Sequence, residues 1–193
     1  LETIMYLIRH GETEWNQIRR IQGHSDIALN ELGVRQAERV ADRFQGEKIH
    51  AFYSSDLSRA HDTAAKIAGN FQSSVSTRTT LRERCYGEWE GLTYEEIRER
   101  FENQDEASCG IETFEDMQRR AVAAMTEIAG SHPGEAIVVV SHGGLINSFL
   151  HYVTVGEQGT GITRIDNTSI TIFRYVDRRW EVLSVNDTDH LKA

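Results

Sequence analysis

Residues Ala136–Ser141 read AIVVVS, a short run with no polar face. A strand of this kind must be covered on both sides, which places it at the centre of a sheet with helices packed above and below. The rest of the chain meets that requirement. Strand-like runs rich in Ile, Val, Tyr and Phe stand at Thr3–Arg9, Ala51–Ser54, Ser169–Val176 and Trp180–Val185, with a weaker one near Ser76–Leu81. Helical patterns lie between them. Glu31–Phe44 places Leu32, Ala37, Val40, Ala41 and Phe44 at helical spacing, and Leu57–Ala68, Tyr94–Phe101, Phe114–Gly130 and Leu145–Val153 follow the same rule. Asn30 and Asp56 are expected to cap the first two helices, Thr93 with Glu96 to form a capping box on the third, and Gly130 to stop the fourth. Such alternation predicts an α/β three-layer sandwich, a mostly parallel sheet with helices on both faces. The link Asp177-Arg178-Arg179 is short enough for a hairpin, so one strand is expected to run antiparallel.

At 193 residues, without repeats or low-complexity tracts, the chain is expected to form a single domain over 1–193. The net charge of −9 argues against nucleic acid or an anionic membrane as the main partner. It also requires any phosphate site to be locally basic against the global field. No apolar run reaches the length of a membrane span, and Ile4–Ile8 is too short and lacks the basic lead-in of an export signal. Cys85 and Cys109 are too few for a disulfide scaffold, which fits a reduced, cytoplasmic setting. A monomer or a homodimer is expected.

Chemistry-bearing residues collect where strands end. IMYLIRHGETEWN puts Arg9, His10 and Gly11 at the end of the first strand; AFYSSDLSRAHDTA puts Arg59 in the first turn of the helix that follows the second; IVVVSHGGL puts His142, Gly143 and Gly144 just past the central strand. Ligands of open α/β sheets bind outside the carboxyl ends of the strands, so Arg, His, Arg and His are expected at one edge. The glycines allow sharp turns and close approach to a ligand. The helices beginning near Leu57 and after Gly144 are expected to aim their positive ends at the same place. This set suits a phosphate dianion. Guanidiniums match phosphate oxygens as fixed forks, and a neutral histidine is a nucleophile. A leaving oxygen also needs a proton, which a carboxylic acid can supply. Glu83, in TLRERCYGEWEGLTYEEI, is the candidate, with Glu12, Glu88 and Glu90 as nearby competitors. Asn16 is expected to donate to phosphate, and Gln22, Gly23 and Gly143 to touch phosphate or substrate. His24, His50, His61, His132, His151 and His190 are read as structural or surface residues, and YEEIRERFEN as a solvated helix face with internal ion pairs. There is no HExxH, Cys-x-x-Cys or clustered-Asp motif with metal-ligand spacing.

These residues, in this order, resemble the histidine phosphatase superfamily, in the branch that includes the cofactor-dependent phosphoglycerate mutases. The opening motif stands as Arg9, His10, Gly11, Glu12, Trp15 and Asn16; the second-arginine pattern as Ser55 to Ala60 around Arg59; the acid segment as Glu83 ahead of Gly87, Trp89 and Gly91; and the second histidine as His142 in Ser-His-Gly-Gly. The resemblance implies that His10 is phosphorylated, that Arg9, Arg59 and His142 hold the phosphate, and that Glu83 donates the proton. It implies no metal and no organic cofactor for the phosphatase branch, and a small phosphorylated metabolite as substrate. The expected activity is hydrolysis of small phosphomonoesters, with a cofactor-dependent phosphoglycerate mutase as the alternative. Two features favour hydrolysis: the stretch from Glu102 to Asp116 is short, acidic and free of Arg and Lys, and Cys85 stands where such mutases commonly have histidine. A binding module without turnover is disfavoured because nucleophile, clamps and acid are all present.

Overall fold

A computed structural model describes residues 1–192 of the chain. Six strands, β1 (Thr3–Arg9), β2 (Ala51–Ser54), β3 (Ser76–Thr77), β4 (Ala136–Ser141), β5 (Ile170–Val176) and β6 (Arg179–Asp187), form one sheet in the order β3-β2-β4-β1-β5-β6. β1 to β4 are parallel, β5 runs antiparallel to both neighbours, and β6 returns along the edge. The helices are α1 (Glu14–Gln17), α2 (Glu31–Arg43), α3 (Ser58–Gly69), α4 (Tyr94–Phe101), α5 (Phe114–Gly130) and α6 (Gly143–Val153).

The apolar β4 run explains the layering. Ile137 and Val139 face a core built with Met117, Ala121, Met125 and Ile128 of α5 and Leu145, Ile146 and Phe149 of α6. Val138 and Val140 face the other core, with Val40 of α2 and Ala60, Ala64 and Ile67 of α3. β1 splits the same way, Met5 and Leu7 to one side and Ile8 to the other. Period-two alternation in a strand apolar throughout thus feeds two helix layers. Asp177 and Arg178, at φ 51° and 61°, make the β5–β6 turn in the left-handed conformation that two-residue hairpins favour.

Local expectations differ from the structure in several places. The Ser76–Leu81 run pairs only over Ser76–Thr77 and then coils into a short turn at Thr79–Leu81, and α1 had no sequence signal of useful length. Asp56 does not cap α3. The N-cap residue is Leu57, Asp56 instead pairs with Arg82, and Asp26 takes the Ser58 N–H at 2.7 Å from a distant loop. The box on α4 is half built: Thr93 accepts from the Glu96 N–H, whereas the Glu96 carboxylate reaches Arg20 at 3.0 Å. That pair leaves the helix, so the internal ion pairs expected of YEEIRERFEN are replaced by a tie to the loop after α1. Asn30 on α2 and Gly130 at the end of α5 stand as expected.

Candidate active site

Register brings the chemistry together. Arg9 lies opposite Ser141 and Ser54 opposite Val140, so the carboxyl ends of β1, β4 and β2 form one edge. His10 follows β1, His142 follows β4 as the N-cap residue of α6, and Arg59 stands in the first turn of α3. The two imidazole rings have centroids 5.1 Å apart. His10, Arg59 and His142 retain only 3%, 1% and 0% exposure.

The His10 ring has a defined proton position. Nδ1 lies 2.6 Å from the Gly11 carbonyl oxygen. A carbonyl can only accept, so Nδ1 carries the hydrogen and Nε2 keeps the lone pair. Burial first, then Arg59 and Arg9, hold the His10 pKa well below the ordinary histidine value, so the ring is neutral. His142 is lowered in the same way by burial, Arg59, His10 and Arg9. Its Nε2 lies 2.7 Å from Ser55 Oγ.

Both arginines are held by backbone carbonyls rather than by carboxylates. Arg59 donates to Ser25 O at 2.6 Å and Gly23 O at 2.8 Å, and Arg9 to Ile165 O at 2.6 Å. Burial lowers the Arg59 pKa to about 10, against the opposing pull of Glu83, Asp26 and Glu90. Arg9 is lowered by burial too, with Glu83 and Asp166 opposing. The buried Nε of each arginine and Nδ1 of His142 have no partner among the described residues. An unsatisfied buried donor costs about 1–3 kcal/mol, a cost that an anion bound between these groups would remove.

Glu83 sits against the start of α6. Its Oε1 accepts from Arg84 N at 2.8 Å and Leu145 N at 3.1 Å, and its Oε2 from Gly144 N at 2.9 Å. The terminus of this helix, expected to face the ligand, gives its N–H groups to the carboxylate instead. Ser58 N at the head of α3 likewise goes to Asp26. A Cβ at position 144 would lie 2.4 Å from Glu83 Oε1, which accounts for the second glycine of Ser-His-Gly-Gly. Gly143 lies beside Arg9, its would-be Cβ 3.4 Å from Arg9 Nε.

The remaining expected residues divide. Asn16 Oδ1 accepts from Thr13 N and so completes the capping box of α1, while its Nδ2 is turned the other way. Gln22 Oε1 accepts from Thr13 Oγ1 at 2.7 Å, and Gly23 supports Arg59 through its carbonyl. Glu90 takes the His24 N–H, the Ser25 hydroxyl and the Tyr86 N–H, and so ties the loop beneath Arg59 to the loop of Glu83. Glu12 accepts from Asn30. Sequence reasoning gave no role to Ser55, Thr63 or Asn167. Thr63 Oγ1 accepts from Gly11 N and donates to Arg59 O, and Asn167 reaches the His10 carbonyl. Such polar residues at helix and strand ends look like ordinary turn or cap residues in sequence. His24, read as structural or surface, has Nε2 2.8 Å from the Glu83 carbonyl. Among the described residues, no group of three or more His, Cys, Asp and Glu side chains is arranged to hold a metal ion.

Comparisons with known proteins agree on one family. Residues 5–188 match the model of the histidine phosphatase superfamily, branch 1. Phosphoglycerate mutase-like protein 4 of Arabidopsis thaliana is 40% identical, over 96% of this chain and 86% of that protein. The metal-independent phosphoserine phosphatase of the same plant is 36% identical, over 99% of this chain and 84% of that protein. A solved structure of a phosphoserine phosphatase mutant from Entamoeba histolytica, in complex with phosphoserine, superposes with a TM-score of 0.85 at 32% identity, covering 98% of this chain and 100% of that one.

Proposed function

The chain belongs to the histidine phosphatase superfamily, and from that premise we propose that it hydrolyses small phosphomonoesters through a phosphohistidine on His10. The observation that carries this reading is the His10 ring: neutral, with Nδ1 tied to Gly11 O, Nε2 holding its lone pair, and two guanidiniums alongside. Nε2 attacks phosphorus as the ester P–O bond breaks. Arg9, Arg59 and His142 hold the equatorial oxygens, where charge stabilisation does most of the catalytic work. Glu83 gives its proton to the leaving oxygen. With two donors on Oε1 and one on Oε2, Oε2 is the oxygen with room for that proton. Water then attacks phosphorus, the P–N bond breaks, its electron pair returns to Nε2, and the Glu83 carboxylate takes a proton from the water. Asn16 and Gly143 contact the phosphate, and Gln22 and Gly23 line its approach.

Two relatives named as phosphoserine phosphatases support a small phosphorylated metabolite as the substrate class. The match over residues 5–188 supports one catalytic domain. Free Cys85 and Cys109 fit a cytoplasmic setting, and a monomer or a homodimer would serve. None of the described helices is long and apolar enough to cross a membrane. Hydrolysis is favoured over mutase chemistry by the acidic segment before α5. Glu106 pairs with Arg84 and Glu112 with Arg120, so arginines beside the Glu83 loop are taken by the chain's own carboxylates. The test is an assay with phosphoserine, 3-phosphoglycerate and an aryl phosphate, with and without chelator and with and without 2,3-bisphosphoglycerate. Phosphate release that survives the chelator and disappears in His10→Ala is expected. Isomerisation of 3-phosphoglycerate faster than phosphate release, and dependent on bisphosphoglycerate, would establish the mutase reading instead.

A further inference from the structure

The loop Ile165–Ser169, between α6 and β5, carries neither the nucleophile nor the proton donor, yet it touches the nucleophile's segment repeatedly. Ile165 O accepts from the Arg9 guanidinium, Thr168 N donates to Arg9 O at 2.8 Å and to His10 O at 3.3 Å, and Ser169 O accepts from Arg9 N. Within this loop Asn167 reaches furthest. Its Nδ2 lies 3.0 Å from His10 O and 3.4 Å from Asn16 Oδ1.

We propose that Asn167 is a positioning residue that locks the His10 backbone and the Asn16 amide into one unit, so that the His10 ring and the Asn16 Nδ2 meet the same phosphate. The proposal rests on the phosphatase reading above. One peptide unit, His10 to Gly11, is pinned at both ends: its oxygen by Asn167 and Thr168, its N–H by Thr63 Oγ1 at 3.1 Å. With that peptide fixed, the next carbonyl, Gly11 O, holds His10 Nδ1 and thereby directs Nε2. Asn16 is oriented by the same residue. Its Oδ1 faces donors from Thr13 N and Asn167 Nδ2, so oxygen and nitrogen of that amide cannot exchange places. Asn suits position 167 because one NH2 group can serve two acceptors. Asp offers no such donor when ionised, and Ala offers none.

A double-mutant cycle tests this. Wild type, Asn167→Ala, Asn16→Ala and the double variant are compared for aryl phosphate turnover and for vanadate affinity, vanadate being a probe that needs no turnover. Misplacing a reacting group by about 1 Å can cost on the order of 100-fold. Asn167→Ala is therefore expected to lose roughly 10- to 100-fold in kcat/KM and to bind vanadate more weakly. In the Asn16→Ala background its effect should be at least about threefold smaller, as expected of residues that act together. Equal losses in both backgrounds, or no loss in the first, overturn the proposal. Should Asn167→Ala fail to fold, Asn167→Asp keeps the size. Its activity relative to wild type should be low at neutral pH and recover as the carboxyl protonates and regains a donor; an unchanged ratio across pH overturns the proposal. A wild type that binds vanadate with the expected coupling but releases no phosphate would refute the phosphatase reading alone.

Discussion

His10 offers two nitrogens with different fates, one spent on a carbonyl and one left for chemistry. Its lowered pKa has a direct kinetic consequence. An ordinary histidine nucleophile would lose activity as pH falls through about 6.5. Here burial and two guanidiniums hold the ring neutral below that range, so once the phosphoester's own ionisation at about pH 6 is divided out, kcat/KM should pass through that pH without a break and decline only in more acid solution. A half-maximal point near the ordinary histidine value would contradict this. Glu83 gives a second prediction. A methyl at Gly144 would press on the far end of a side chain, not on backbone, so Gly144→Ala should cost little stability but displace Glu83, the proposed proton donor. Hydrolysis of alkyl phosphates should fall by about 100-fold or more, within the range of a lost general acid, and that of a nitrophenyl ester far less. Equal losses on both esters would remove Glu83 from the donor role. The proposed nucleophile, both arginines and the proposed acid stand out in the sequence because each is a strong chemical type in a distinctive local string, and the fold brings His10, Arg59 and His142 to one sheet edge. Asn167 and Thr63 do not, because their partners lie far along the chain.

At the scale of elements, apolar periodicity located β1, β2, β4 and most of the helices to within a residue or two, since those segments are defined by what they bury. Capping was less legible wherever its partner is distant. Asp56 precedes α3 and looks like its cap, but the carboxylate that accepts the Ser58 N–H belongs to Asp26, 32 residues earlier. Asp26→Ala should therefore destabilise the fold by about 1 kcal/mol, the usual effect of a lost cap, whereas the exposed Asp56–Arg82 pair should contribute about 0–1 kcal/mol. Urea unfolding of both variants decides between them; a larger loss for Asp56→Ala would contradict this assignment. Hydrogen bonds from Ser58 hold the Asp26 pKa below the usual carboxylate value. Its contribution is present above that ordinary value and should fade as pH falls toward the lowered one.

Across the whole molecule, an acidic protein of net charge −9 gathers two guanidiniums and two buried, neutral imidazoles at one edge of its sheet. Alternating strands and helices implied the layers, but not that β4 would lie between β2 and β1. That order follows from which crossovers bury both faces of the AIVVVS strand, a property of the assembled sheet. Keeping His10 and His142 neutral links stability to pH. Both folded pKa values lie below the unfolded value of about 6.5, so this stability is fully present above that pH and is lost as pH falls below it, by up to about 1.4 kcal/mol per pH unit for each histidine. Thermal unfolding from pH 7.5 to 5 should show a falling midpoint, and His142→Asn should flatten the slope. An identical slope in that variant would mean that the histidine does not carry the linkage.

The central claim concerns one atom. Wild type and Glu83→Gln, mixed with substrate and quenched in alkali, should yield a phosphorylated peptide containing His10. Phosphorus NMR of that peptide should place the phosphoryl group on Nε2, because Nδ1 is committed to Gly11 O. Phosphate on Nδ1, on Ser, Asp or Cys, or on no residue during steady turnover would contradict the account.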